Sequence, residues 1–89
     1  MEVKQVRQVI DILGNEFDSH KFIREFILRC TGAYGELLIK HGNVTTAHAE
    51  IANYLRSHAD ELEIEKLRND EISADIFGND VTNAFWKKK

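Results

Sequence analysis

The chain reads as an all-α fold, a small helical bundle of three main helices with a short C-terminal helix or aromatic tail packed on it. Apolar residues recur at helical spacing over the first two-thirds of the sequence. Its 89 residues hold no Pro and only five Gly, so the dense turn punctuation of a sandwich or barrel is missing. Glu, Lys, Leu, Ile and Ala are frequent, and these favour helices. A hydrophobic content of 43% in so short a chain suits one domain with one modest core. The expected division is an amphipathic helix in residues 1–14, a central helical hairpin in 17–67, and a loop with an aromatic tail in 68–89.

In the first segment Val3, Val6, Val9, Ile10 and Leu13 follow the helical step, with Lys4, Gln5, Arg7, Gln8 and Asp11 on the other side. Gly14-Asn15 then supplies a left-handed stop. The helix docks as a strip, either as a further wall of the core or as a dimerisation arm. Its β-branched valines do not alternate strictly, so a strand is rejected.

The longest helix signal runs from Phe17 to His41, opened by a side-chain cap from Asp18 or Ser19. At about 100° per residue, Phe22, Ile23, Phe26, Ile27, Cys30, Ala33, Tyr34, Leu37, Leu38 and His41 fall within one arc roughly 160° wide, which predicts a buried face. Opposite them, Leu28, Gly32, Gly35 and Ile39 recur at steps of four, three and four residues. A helix apolar on two sides needs a cover on both, and the second cover is either the rest of this chain or another chain. Glycine inside a helix costs roughly 0.5–1 kcal/mol against alanine. The pair therefore implies close approach by a neighbour, or else a kink near Gly32 to Gly35.

Gly42-Asn43 ends this segment, and Thr45 or Thr46 caps a third helix carrying Ala47, Ile51, Tyr54, Leu55, His58, Ala59 and Leu62 on one face. The short connection predicts an antiparallel hairpin, with a break in the third helix near Leu62 to Ile64. Periodicity vanishes from Arg68 to Ala74, which reads as a solvated loop. Asp80 then caps a short last helix from Val81 to Lys87. Phe77, Phe85 and Trp86 read as a lid on the core, although Trp86 beside Lys87, Lys88 and Lys89 also has the makings of a partner anchor.

Charge narrows the function classes. Net charge is −3, and from Asp60 to Asp80 eight acidic residues stand against only Lys66 and Arg68. That balance argues against a broad nucleic-acid surface, which needs clustered cations. No eighteen apolar residues run together and no secretory segment opens the chain, so neither a membrane span nor export is expected, and the cytoplasm is the natural location. The single cysteine, Cys30, falls on the buried arc and reads as a small core residue.

No constellation of catalytic type stands out. His48 and His58 are ten residues apart, too far along one helix to share an ion. His20 and His41 sit at opposite ends of the central helix. His41 and His48 are placed to meet across the Gly42 turn with Glu50 near, but without the spacing of a zinc motif. Asp75 to Asp80 lacks the alternate ligands and closing Glu of a calcium loop. With no nucleophile beside a base and no phosphate-cradling glycine loop, no catalytic residue, cofactor, metal or small-molecule substrate is indicated.

Ala49-Glu50-Ile51-Ala52-Asn53-Tyr54-Leu55 resembles the first helix of many helix-turn-helix repressors. Such a module continues into a basic recognition helix, whereas the acidic run Asp60-Glu61-Leu62-Glu63-Ile64-Glu65 comes next here. Across the chain beyond the first helix, Phe17 to Ile23, His48 to Leu55 and Asp75 through Trp86 are similar to small bacterial proteins of uncharacterised function. That resemblance implies no activity.

The leading expectation is therefore a non-enzymatic protein–protein interaction module, acting as a homodimer or as a subunit, with interface candidates Leu28, Gly32, Gly35, Ile39 and Trp86. The alternatives are a helix-turn-helix-like DNA-binding regulator using the third helix, and an acidic protein masking a basic partner surface.

Overall fold

The computed structural model describes the backbone of residues 1–74 and 80–89 and the side chains of residues 1–67 and 84–89. The elements run α1 (Val3–Ile12), β1 (Glu16–Asp18), α2 (Ser19–Arg29), α3 (Thr31–His41), α4 (Val44–Ser57), α5 (Ala59–Leu62), β2 (Ile64–Ala74) and β3 (Asp80–Lys88). The chain is mostly helical, but an antiparallel three-stranded sheet in the order β1-β3-β2 corrects the all-α expectation.

Helix α1 buries Val6, Val9 and Ile10, the strip that its periodicity marks. It does not end on a left-handed glycine. Leu13 leaves it in extended conformation with its side chain turned into the core, and Gly42 is the positive-φ glycine among the described residues. The ammonium of Lys88 donates to the Leu13 carbonyl at 2.7 Å, supplying the helix end with the cation that its dipole and bare carbonyls favour.

Asp18 caps α2 by accepting from the Lys21 N–H at 2.7 Å. The single helix expected from Phe17 to His41 is interrupted at Cys30, whose φ of −124° and ψ of 50° lie outside the helical region. The hydroxyl of Thr31 donates to the Ile27 carbonyl at 3.0 Å, taking an acceptor that a continuous helix would give to a backbone N–H. Gly32, a weak helix former, comes at once after it, so little favours propagation through this point. The break lies just before the glycine pair.

Gly42 closes α3 in the left-handed conformation at φ 75°, and Asn43, not a threonine, caps α4 by accepting from the Thr46 N–H at 2.8 Å. Because the connection is only Gly42-Asn43, the helix has already begun when Thr45 is reached. Helix α4 buries Ala47, Ile51 and Leu55 and stops at Ser57. One turn, α5, buries Leu62 and ends on Glu63 in left-handed conformation (φ 56°), where the chain turns into the sheet. Arg7 of α1 fixes this corner, donating to the Leu62 carbonyl at 3.2 Å and to the Glu63 carboxylate at 3.0 Å.

Two further expectations are corrected here. The stretch from Arg68 to Ala74 belongs to β2, and Val81 to Lys87 belongs to β3 rather than to a capped helix. Ile64 pairs with Lys88, Lys66 with Trp86 and Ala74 with Asp80, with register shifts between Lys66 and Arg68 and between Arg68 and Glu71. Short β1 pairs Phe17 with Trp86. Val81 and Thr82 are β-branched and Phe85 and Trp86 are aromatic, the residue types that suit a pleated surface. Phe77 and the Gly78-Asn79 pair lie outside the described residues.

The core gathers Val6, Val9, Ile10 and Leu13 with Phe17, Phe22, Ile23, Phe26, Leu37, Ala47, Ile51, Leu55, Leu62, Ile64 and Trp86. Phe22 stacks on Phe26 at a centroid distance of 5.9 Å and meets Phe17 at 6.5 Å, within the range where aromatic pairs attract beyond their buried area.

Candidate functional site

Where α2 and α3 turn their buried sides to this core, their other sides face outward. Leu28 is 69% exposed and Ile39 85%, while Gly32 is exposed and Gly35 half-exposed. An added methyl group at either glycine would meet nothing within 4 Å, so no neighbouring element of the described chain approaches them. The stripe read from the helical spacing is thus left uncovered by the chain's described residues. The acidic and basic side chains Arg24, Arg29, Glu36 and Lys40 lie exposed around it.

Trp86 does not join this face. It is 2% exposed in the middle strand, and its indole N–H donates to the hydroxyl of Ser19 at 3.0 Å. This corrects its place among the interface candidates and agrees with the aromatic tail acting as a lid. The signal for it was Ser19 at the first position of α2, a small hydroxyl between the apolar residues Phe17 and Phe22.

A second polar arrangement lies between α3 and α4. The Tyr34 hydroxyl is hydrogen-bonded to His48 Nε2 at 2.7 Å, with the two rings 5.6 Å apart. His41 Nε2 is buried and sits 3.6 Å from a Glu50 carboxylate oxygen, just beyond hydrogen-bond reach. His41 thus lies beside Glu50, and His48 is hydrogen-bonded to Tyr34. Next to this seam is a shallow cleft of about 230 Å³ lined by Ala33, Glu36, Leu37, Lys40, Glu50 and Tyr54, with Met1 at its rim. Among the described residues no group of three His, Cys, Asp or Glu side chains is placed to hold a metal ion.

Burial raises the Tyr34 phenol above its ordinary pKa. Tyr54 is raised by burial and then by the nearby negative charges of Glu61 and Glu2. Its ring stacks on His58 with centroids 3.9 Å apart. The Nδ1 of His58 lies 3.1 Å from the Tyr54 carbonyl, which makes that nitrogen the donor. Each polar contact in this seam ties one turn to another, across α3 and α4 or around the end of α4.

The helix-turn-helix expectation needs a second helix after α4. Beyond Ser57 the chain instead passes through His58 and the four-residue α5 into β2. In the acidic run, Asp60 pairs with Lys89 at 3.2 Å and Glu63 with Arg7 at 3.0 Å, while Glu61 and Glu65 stand exposed. Cys30 is half-buried at the junction of α2 and α3, packed against the core. Among the described residues no helix is long and apolar enough to cross a membrane.

Comparisons with protein-family models, with curated proteins and with solved structures find no match for this chain.

Proposed function

We propose that the chain is a non-enzymatic interaction module of the cytoplasm, acting as a homodimer or as a subunit through the outward face of α2 and α3. One observation carries the reading. Leu28 and Ile39 are 69% and 85% exposed at the ends of a stripe whose middle is two glycines. Scattered single apolar residues need no explanation, but two large aliphatics flanking an open helix surface form a place where a second backbone fits closely. The Tyr34–His48 and His41–Glu50 contacts bridge α3 and α4, and we read them as structural ties between the two helices.

Sedimentation velocity over a wide concentration range tests it, with wild type compared with Leu28→Glu/Ile39→Glu and both checked by circular dichroism. A wild-type dimer that becomes a folded monomer in the double variant is the expected result. A wild type that stays monomeric at the highest concentration overturns self-association.

Duplex binding through α4 has less to support it, since the segment after α4 is short and acidic and soon becomes a strand.

A further inference from the structure

We propose that His41 is a proton-operated latch between α3 and α4, with the Glu50 carboxylate as its catch. Among the described residues, His41 Nε2 is the buried side-chain polar atom that has no hydrogen-bond partner. Buried polar groups are as a rule paired, so an orphan of this kind asks for an explanation. Across the seam, a carboxylate oxygen of Glu50 stands 3.6 Å from it.

The two histidines of this seam differ in what faces them. His48 Nε2 meets the Tyr34 hydroxyl at 2.7 Å, and a hydroxyl both donates and accepts. That bond survives whichever charge the ring carries. A carboxylate only accepts, so His41 needs a proton on Nε2 to bond to Glu50. A neutral ring protonated on Nδ1 sets a lone pair against the carboxylate, and one protonated on Nε2 is held beyond hydrogen-bond reach. The charged ring always carries that proton, and the carboxylate attracts it as an ion. A closure of about 0.8 Å brings the pair to the roughly 2.8 Å of a charge-assisted hydrogen bond.

His41 lies in the last turn of α3, where bare carbonyls also face a cation favourably. The other ionisable groups on this side are few. His48 of α4 is taken by Tyr34, Lys40 and Glu36 of α3 line the cleft together with Glu50, and Met1 with the amino terminus stands at its rim. Helix α2 joins α3 at Cys30, the end opposite His41. Histidine is the side chain whose charge changes between about pH 5 and 8. Acidification through that range shuts the latch, holding the last turn of α3 to α4 and drawing Glu50 from the cleft wall toward the seam. The contribution is present where the ring is charged and is lost as pH rises.

A double-mutant cycle with His41→Gln and Glu50→Gln tests the latch, read by urea unfolding at about pH 5.5 and about pH 8. Both substitutions keep the seam polar, and a single low protein concentration keeps self-association out of the measurement. The expected result is a coupling of about threefold in the folding equilibrium at the acid pH, weakened by added salt, and none at the alkaline pH. Equal coupling at both, stronger coupling at the alkaline pH, or none at either overturns the proposal. Should a variant fail to fold, NMR follows the carboxyl carbon of Glu50 and the ring of His41 in the wild type over the same range. A Glu50 signal that moves in step with the ring supports the latch, and one that stays still while the ring titrates overturns it.

Discussion

The indole N–H of Trp86 donates to the hydroxyl of Ser19 at 3.0 Å across the junction of sheet and helix, with both side chains almost fully buried. The same hydroxyl lies 3.5 Å from the carbonyl oxygen of Ala84, to which it donates in turn. Ser19 therefore satisfies the N–H of the chain's single tryptophan and reaches a carbonyl of β3. Replacing Ser19 with Ala leaves a buried N–H without a partner, which costs about 1–3 kcal/mol. Urea unfolding followed by far-UV circular dichroism measures it in every variant. Trp86→Phe in the Ser19→Ala background removes the orphaned donor, so the two losses should add to less than their sum.

The corner after α5 makes a second prediction. Glu63 holds a left-handed conformation at φ 56°, which costs a non-glycine residue roughly 1 kcal/mol, while its carboxylate accepts from Arg7. That ion pair is solvent-exposed and contributes little. Glu63→Gly should consequently leave stability unchanged or raise it by up to about 1 kcal/mol. Arg7→Ala should lower it, because it also strips the Leu62 carbonyl of its donor. Thermal unfolding of the two variants side by side decides the sign of each.

These two contacts mark how far the sequence was legible. The faces of α1, α2 and α4 follow from the spacing of Val6, Val9 and Ile10, of Phe22, Ile23 and Phe26, and of Ala47, Ile51 and Leu55, since a helix is dictated by residues near one another in the chain. Strands need a partner that the local pattern does not contain. Val81 and Phe85 are spaced as in a helix, yet the pairing of Trp86 with Phe17, nearly the whole chain away, makes that segment the middle of a sheet. A three-residue β1 carries too little periodicity to be read at all. For the candidate site, Leu28 and Ile39 lay opposite the buried arc and are exposed as that position requires, whereas the burial of Trp86 depended on Ser19 and on the sheet.

Alkaline titration supplies a third prediction. Burial raises Tyr34 and Tyr54, the latter with help from Glu61 and Glu2, so the folded chain holds these phenolic protons more tightly than the unfolded chain. Where the native state binds more protons, stability falls as pH rises. The contribution is intact below the ordinary tyrosine value of about 10 and is lost as pH climbs through the raised values. Urea midpoints measured between neutral and strongly alkaline pH should fall more gently in Tyr34→Phe/Tyr54→Phe than in wild type. Equal slopes would mean that neither phenol is held back by its surroundings.

The glycine at the centre of the outward face separates the stability of one chain from its association. A Cβ at Gly35 meets nothing within 4 Å, and the residue lies inside α3, so Gly35→Ala should stabilise the isolated chain by roughly 0.5–1 kcal/mol through helix propensity alone. If a second helix packs on this face, the same methyl group enters the narrowest part of the contact and weakens association. The two effects have opposite signs and different concentration dependence. Unfolding at the lowest usable protein concentration should show the gain, and sedimentation at high concentration should show the loss. A variant that gains stability and associates as tightly as wild type would mean that Gly35 is not approached by another backbone, and that Leu28 and Ile39 are covered, if at all, by something that stands off from the helix axis.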